Sequence, residues 1–374
     1  MAHQLFGYGD SSITVDLDAI VANWRYIDSL SSFKTKTAAM VKADGYGLGC
    51  SSIAIALANA GCKIFFVASL EEAINLKKTI QLRGLNDCSI MVLHGVQNNQ
   101  EKDFFTHQLV PVLNDLEQIS RWINFAKKIG TALPALLHFD TGMTRLGLDT
   151  KQANWLIQNK QDLDSLNVQY IMSHLVSAEL VEDPINFKQL IQFKKLLRCF
   201  ASLPASLANS AGTMLGNDFH FQMTRPGISL YGVHPCNKTI NKLQPTFSWK
   251  ARILQVRSAA IGDKVGYGGT FELQRESLIA TIGIGYADGY SRQLSGKASI
   301  LIGGQTVPVI GRISMDSITA DVTELDQNSL LTDTAQLIHQ DYGLERMALD
   351  LKTIPYEIMT NLGHRAKRHY YERV

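Results

Sequence analysis

The chain has 374 residues, 45% hydrophobic and 19% charged, enough apolar material for two or three cored domains. Its 36 basic and 34 acidic residues are mixed along the sequence and leave a net charge of +2, so no single-sign field marks it for nucleic acid or a membrane surface. Five cysteines, widely spaced and without a Cys-x-x-Cys pair, argue against a zinc site or a disulfide framework and fit a reducing compartment.

Residues 1–12 lack the basic and apolar regions of a leader, and no later apolar stretch reaches about 18 residues, so a soluble, cytoplasmic protein is expected. The first helical pattern spans 18–30 with Asp18 as its N-cap. A short apolar strand at 38–41 is closed by Lys42, and glycines at 45, 47 and 49 punctuate the following loop. Helix 50–60, strand 64–68 and helix 69–76 come next, the last with a Ser69/Glu72 capping box. Strands at 90–93, 110–113, 135–139, 170–173, 205–208 and 219–223 then alternate with helices at 116–129, 151–159 and 185–200. Eight strands with intervening helices in roughly 200 residues match a (β/α)8 TIM barrel, although a doubly wound open sheet shares the local pattern. Pro235 and Pro245 flank a polar linker at 237–244, after which β-rich segments dominate, at 248–256, 277–284, 298–301, 306–310, 318–322 and 335–338. The expected organisation is α/β: a barrel over 10–240 followed by a mostly-β domain over 241–374. The only basic concentration, 364–368, is too short to carry a conclusion.

Barrel enzymes place their chemistry on loops that follow the carboxyl ends of strands. Polar residues gather at those points here: Lys42 after the first strand, Asp140 to Arg145 after the fifth, His174 after the sixth, Asn209 and Ser210 after the seventh, Arg225, Gly227 and Ile228 after the eighth. A lysine that ends a buried strand either sends its ammonium to solvent or serves as an amine nucleophile. The Ser210 hydroxyl and the Gly227 and Ile228 amides, which follow Pro226, resemble a phosphate cup, although plain helix capping uses the same residues. A lysine facing such a cup, with no Walker lysine and no dinucleotide fingerprint, points to pyridoxal phosphate. Arg225 at the end of the eighth strand could then face the pyridine nitrogen and keep it unprotonated.

Six ordered segments, 41–49, 140–147, 225–232, 265–270, 285–290 and 311–316, resemble the motifs of bacterial alanine racemases, the type III fold of pyridoxal-phosphate enzymes. The resemblance implies an isomerase that interconverts L- and D-alanine and supplies D-alanine for peptidoglycan, without a metal. It implies that Lys42 bonds the cofactor and acts as one acid/base group, with Tyr267 from the partner subunit of a homodimer as the other. Tyr46, Ser210, Gly227, Ile228 and Tyr356 would contact the phosphate, with Asn209 on the same cofactor-binding loop. Arg145 would lie beside the cofactor's phenolic oxygen and the substrate carboxylate, Arg225 on the ring nitrogen, and His174 between Arg225 and Tyr267. Met315 would offer its backbone amide to the carboxylate, and Tyr286 and Tyr356 would narrow the entrance.

The sequence departs from that pattern in places. Gly45 and Leu48 replace the more usual Ala and His, and Glu179 stands where aspartate is common. His138 occupies a position where many relatives carry a carbamylated lysine that orients the arginine matching Arg145. Here His138 itself, a bound anion or a nearby carboxylate must do so. A racemase for serine or basic amino acids is the nearest alternative. A type III decarboxylase is disfavoured by Arg225, and a non-catalytic pyridoxal-phosphate carrier barrel by the β domain and its tyrosine. His94, His107 and His220 are expected to be structural or superficial, and Tyr231, Tyr290 and Trp249 to be packing residues.

Overall fold

A computed structural model describes residues 6, 9–236 and 242–372, so residues 237–241 of the expected linker lie outside the described residues. Two compact units are present, one formed by Ala19–Pro245 and the other by Met1–Asp18 together with Thr246–Val374. Strand β1 (Ser11–Asp16) falls within the span expected for the barrel, yet it belongs to the second unit. It pairs antiparallel with β11 (Phe247–Ala259) and parallel with β19 (Lys367–Tyr371). No strand is expected at 11–16 from the local pattern, and which sheet a strand joins is a long-range choice.

Helix α1 (Leu17–Ser29), whose first two residues are assigned to the second unit, leads in the first to a strand in two pieces, β2 (Lys36–Thr37) and β3 (Ala39–Met40). Asp18 lies in the first turn of α1 rather than at its N-cap. The remaining strands are β4 (Ile64–Val67), β5 (Ser89–Val92), β6 (Val110–Leu113), β7 (Leu133–His138), β8 (Leu166–Met172), β9 (Ala205–Ser206) and β10 (Met223–Thr224). They are ordered β2-β10-β9-β8-β7-β6-β5-β4-β3, all parallel. β2 pairs with the last strand and β3 with the next one, which closes the sheet into a barrel. Runs such as Ile-Phe-Phe-Val in β4 are buried throughout, as strands covered on both faces require.

Helix boundaries follow local signals. Asp115 and Gly130, the latter left-handed at φ 68°, bound Leu116–Ile129 as expected. The Ser69/Glu72 capping box starts a helix that runs Leu70–Leu82, beyond the expected stop at 76. An unforeseen helix spans Glu101–Thr106. The strand expected at 219–223 is confined to Met223–Thr224. The residues before it form a 3-10 turn, Asn217–Phe219, and His220 Nε2 lies 2.8 Å from the carbonyl of Thr213.

The second unit adds β12 (Lys264–Val265), β13 (Phe271–Glu272), β14 (Ser277–Ile282), β15 (Ser299–Ile302), β16 (Gln305–Ile310), β17 (Ile318–Asp321) and β18 (Thr334–Gln336). Its main sheet runs β14-β17-β16-β15-β18-β11-β1-β19, with β14 also paired to β11. The thirteen-residue β11 makes both sets of contacts by changing register between Ile253 and Gln255. Trp249 and Tyr290, both fully buried, pack edge to face at 5.8 Å inside this unit. No described helix is long and apolar enough to cross a membrane, and among the described residues no cluster of His, Cys, Asp and Glu could hold a metal.

Candidate active site

Lys42 follows β3 directly, and the chain turns sharply after it. Ala43, Asp44, Gly45 and Tyr46 all have left-handed φ angles, 52°, 51°, 61° and 56°. Only one of the four is glycine, where a Cβ would stand 2.9 Å from Ile53 Cδ1. Left-handed L residues need outside support, and the backbone supplies part of it. Gly45 N–H donates to Val41 O at 2.9 Å, Gly47 N–H to Ala43 O at 2.8 Å, and the Asp44 carboxylate accepts Cys50 N–H at 2.8 Å. Burial, and then the charge of Arg145, hold the Lys42 ammonium below its ordinary pKa, while Glu72 opposes them. Such an amine has a larger neutral, nucleophilic fraction near neutral pH.

The turn delivers Tyr46 beside the last barrel loops. Its ring stacks on Tyr231 at 4.6 Å, and Tyr231 donates its hydroxyl to Met40 O at 2.9 Å. A Cβ on Gly227 would lie only 2.2 Å from the Tyr46 hydroxyl, so glycine is what lets the phenol reach this backbone. Ser210 Oγ accepts the Gly227 N–H at 2.8 Å and the Ser229 N–H at 3.4 Å. Asn209 uses its side-chain oxygen to cap the short helix Ser210–Met214, accepting Gly212 N–H at 2.8 Å. The Tyr46 and Ser210 hydroxyls thus lie together at the start of the Ile228–Tyr231 turn, and hydroxyls beside the first amide of such a turn are donor chemistry that fits a phosphate. The structure brings Tyr46, Ser210 and Gly227 together, with Ile228 next in the chain and Asn209 capping the adjoining helix.

Arg225 is 2% exposed. Its guanidinium donates to Ser206 Oγ, to Ser173 O at 2.7 Å and to Leu207 O at 3.3 Å, and Nη2 lies 3.4 Å from His174 Nδ1. None of these partners is a carboxylate. Burial pulls the Arg225 pKa down to about 9, which still leaves a cation at neutral pH. Because a guanidinium only donates, His174 must present a lone pair at Nδ1, and burial followed by Arg225 holds this imidazole well below its ordinary pKa.

His138, at the end of β7, belongs to a second chain of assigned tautomers. Asn114 Nδ2 donates to Leu93 O and Val112 O, both at 2.9 Å, so its Oδ1 accepts Nδ1–H of His138 at 2.8 Å. The Nε2 lone pair of His138 remains. Burial, then Arg225, hold His138 down to about 3 and keep it neutral. The loop that carries Arg145 packs over this ring: a Cβ on Gly147, at φ 106°, would lie 2.8 Å from Asp140 N and 3.2 Å from His138 Cδ2. The loop is shaped by Asp140, whose carboxylate accepts the amides of Gly142, Met143 and Thr144 at 2.8, 2.8 and 2.9 Å. Arg145 itself is exposed and, among the described residues, forms no ion pair.

The second unit gathers its own set. Tyr267 opens a 3-10 turn between left-handed Gly266 and Gly268 and is 71% exposed. A Cβ on Gly266 would meet Arg312 N at 3.1 Å, which puts this turn against the segment leading to Met315. Tyr286 N–H donates to Ser314 O at 3.1 Å and Ala287 N–H to Met315 O at 3.0 Å, through a backbone approach that only Gly285 permits. Arg365 clamps both loops, with two nitrogens on Asp288 at 2.9 and 2.8 Å and a third on Asp316 at 2.7 Å. Tyr267, Tyr286 and Met315 therefore sit on adjoining loops of one unit. Tyr356 lies in the same unit, on helix Pro355–Thr360. Asn114 and Arg365 escaped sequence reasoning. Asn114 gave no signal, whereas Arg365 lies in the basic run at 364–368.

The profile of the alanine racemase N-terminal domain matches residues 15–235, and that of the alanine racemase C-terminal domain matches 246–370. Alanine racemase of Brucella abortus is 42% identical over 372 residues, covering 96% of this chain and 93% of its own length. That of Rickettsia canadensis is 40% identical over 360 residues, covering 96% and 98%. The crystal structure of Bartonella henselae alanine racemase with covalently bound pyridoxal phosphate superimposes with a TM-score of 0.91 at 40% identity, covering 97% of this chain and 99% of that one. The enzyme from E. faecalis gives 0.89 at 27% identity, covering 98% and 100%.

Proposed function

The chain belongs to the alanine racemase family, and on that premise we propose that it is a pyridoxal-phosphate-dependent isomerase interconverting L- and D-alanine. The observation that supports this reading is that Lys42, the Tyr46–Ser210–Gly227 cluster and the buried Arg225 cation all stand at the carboxyl ends of strands of one barrel, Lys42 after β3, Ser210 after β9 and Arg225 after β10. Bound there through Lys42, pyridoxal phosphate supplies an electron sink that acidifies the Cα–H of an attached amino acid.

The chain's own residues then decide the outcome. Inverting a carbon centre requires a proton taken from one face and another returned to the opposite face, which calls for two bases. Lys42 serves one face and Tyr267 of the partner subunit the other, in a homodimer with shared sites. An exposed phenol on a glycine-hinged turn suits delivery to a second copy. Arg225, which among the described residues has no carboxylate partner, would oppose protonation of a pyridine nitrogen held beside it and so would favour quick return of the proton to Cα. Arg145 and the Met315 amide hold the substrate carboxylate, with Tyr286 and Tyr356 restricting the approach to small amino acids. In the cell the reaction provides D-alanine for peptidoglycan, in the cytoplasm.

The test is direct. Purified protein loaded with pyridoxal phosphate is treated with borohydride and the modified lysine is mapped, while untreated protein is assayed with L-alanine by loss of optical rotation. Label on Lys42 and racemisation of alanine in preference to serine, lysine and arginine are expected. Label on another lysine, or preference for another amino acid, contradicts the proposal.

A further inference from the structure

The carboxylate of Glu72 accepts backbone amides from two different strand ends. Its Oε1 takes the Ala43 N–H at 2.7 Å, and its Oε2 takes the Ala68 N–H at 2.7 Å and the Ser69 N–H at 3.4 Å. Glu72 also closes the capping box of its helix, its own amide donating to Ser69 Oγ at 3.3 Å. Helix capping needs the Ser69 bond alone. The shortest contacts instead join the residue after Lys42 to the end of the neighbouring strand β4.

That location matters because Ala43 opens the run of four left-handed residues, three of which carry side chains. L residues resist this conformation unless their surroundings fix it. The bonds inside the turn begin at the Gly45 amide, whereas the Ala43 amide is answered by Glu72 from outside. A hydrogen bond to a charged acceptor is stronger than one between neutral groups. The same carboxylate is the anionic counterweight near the Lys42 amine, where Arg145 and burial both disfavour the ammonium.

We propose that Glu72 is a positioning residue for Lys42, tying the left-handed turn behind the lysine to the next strand end and lending a negative charge beside its amine. The inference deepens the proposed cofactor-anchoring role of Lys42 and rests on that reading for its purpose, though its two readouts do not.

The experiment uses the full-length protein stripped of cofactor, as wild type, Glu72→Gln, Glu72→Asp and Ser69→Ala. Amide hydrogen exchange is followed over residues 43–46, and Lys42 acylation by an amine-reactive reagent is followed against pH by peptide mapping. In Glu72→Gln the 43–46 amides should exchange about tenfold faster or more, and the acylation midpoint should move to lower pH. Glu72→Asp keeps the charge but is one methylene short, so it should speed exchange while holding the midpoint nearer to wild type; it also serves if Glu72→Gln folds poorly. Ser69→Ala should lower thermal stability and leave both readouts as in wild type. If Ser69→Ala reproduces the effects of Glu72→Gln, or if Glu72→Gln moves neither readout, Glu72 is only a helix cap and the inference falls. Failure of wild type to trap pyridoxal phosphate on Lys42 would instead count against the proposed function and leave this comparison intact.

Discussion

Gly227 and the hydroxyl of Tyr46 share a space that admits no Cβ, since one built on Gly227 would lie 2.2 Å from the phenol oxygen. Gly227→Ala should therefore displace Tyr46 from its stack on Tyr231 and cost about 1–3 kcal/mol, as overpacking of a filled site does. Retention of pyridoxal phosphate should fall with it. Adding Tyr46→Phe should restore part of the thermal stability without restoring retention, because the hydroxyl relieves the clash by leaving but is then missing from the cup. Thermal midpoints and equilibrium dialysis of the four proteins in this cycle check both statements.

His138 predicts a part of the acid sensitivity. Its folded pKa is depressed to about 3 by burial, then by Arg225, with Asp140 opposing and Arg145 adding to the depression. The unfolded chain, titrating near the ordinary value of 6.5, thus binds more protons than the folded one between pH 3 and 6.5. Stability must then rise with pH across that window and be lost as pH falls through it, at up to about 1.4 kcal/mol per pH unit for this group. His138→Gln should flatten the slope between pH 4 and 6 in denaturant titrations while leaving the slope above pH 7 unchanged. His174, depressed in the same direction, keeps the remaining slope from vanishing.

The barrel strands and most helices were legible because short buried runs and capping residues are local signals: Leu116–Ile129 lies between the Asp and Gly that dictate its ends. Strand β1 was not, since its place beside β11 and β19 depends on residues more than two hundred positions away. At the site, glycines and strand-end polar residues exposed Lys42, Ser210, Arg225 and Gly227 as candidates. The supports behind them stayed hidden. Asn114 sets the tautomer of His138 from the neighbouring strand, and Glu72, readable as a helix cap, also bonds Ala43. Such contacts join residues 24 and 29 positions apart and leave no periodic trace.

The Arg365 clamp makes a third prediction. Asp288 is 4% exposed and its carboxylate also accepts the Gly285 amide at 2.9 Å, so losing the guanidinium leaves a buried anion short of its partner. Arg365→Met should cost about 1–3 kcal/mol, moderated because the arginine itself is half exposed. With the loops of Tyr286 and Met315 loosened, KM for alanine should rise by a larger factor than kcat falls. Asp316→Asn, at the exposed end of the clamp, should change stability by about 0.5 kcal/mol or less. Chemical denaturation and steady-state kinetics of the two variants distinguish these effects.

The assignment of Lys42 and Tyr267 to opposite faces of the substrate is tested most directly by Tyr267→Ala. The loaded variant, in heavy water, is given L-alanine and D-alanine separately, and the initial rate of α-deuterium incorporation is measured by mass spectrometry. The variant should keep the yellow colour of bound cofactor and lose exchange from L-alanine far more severely than from D-alanine, because only one face has lost its base. Equal losses from both enantiomers would contradict the account.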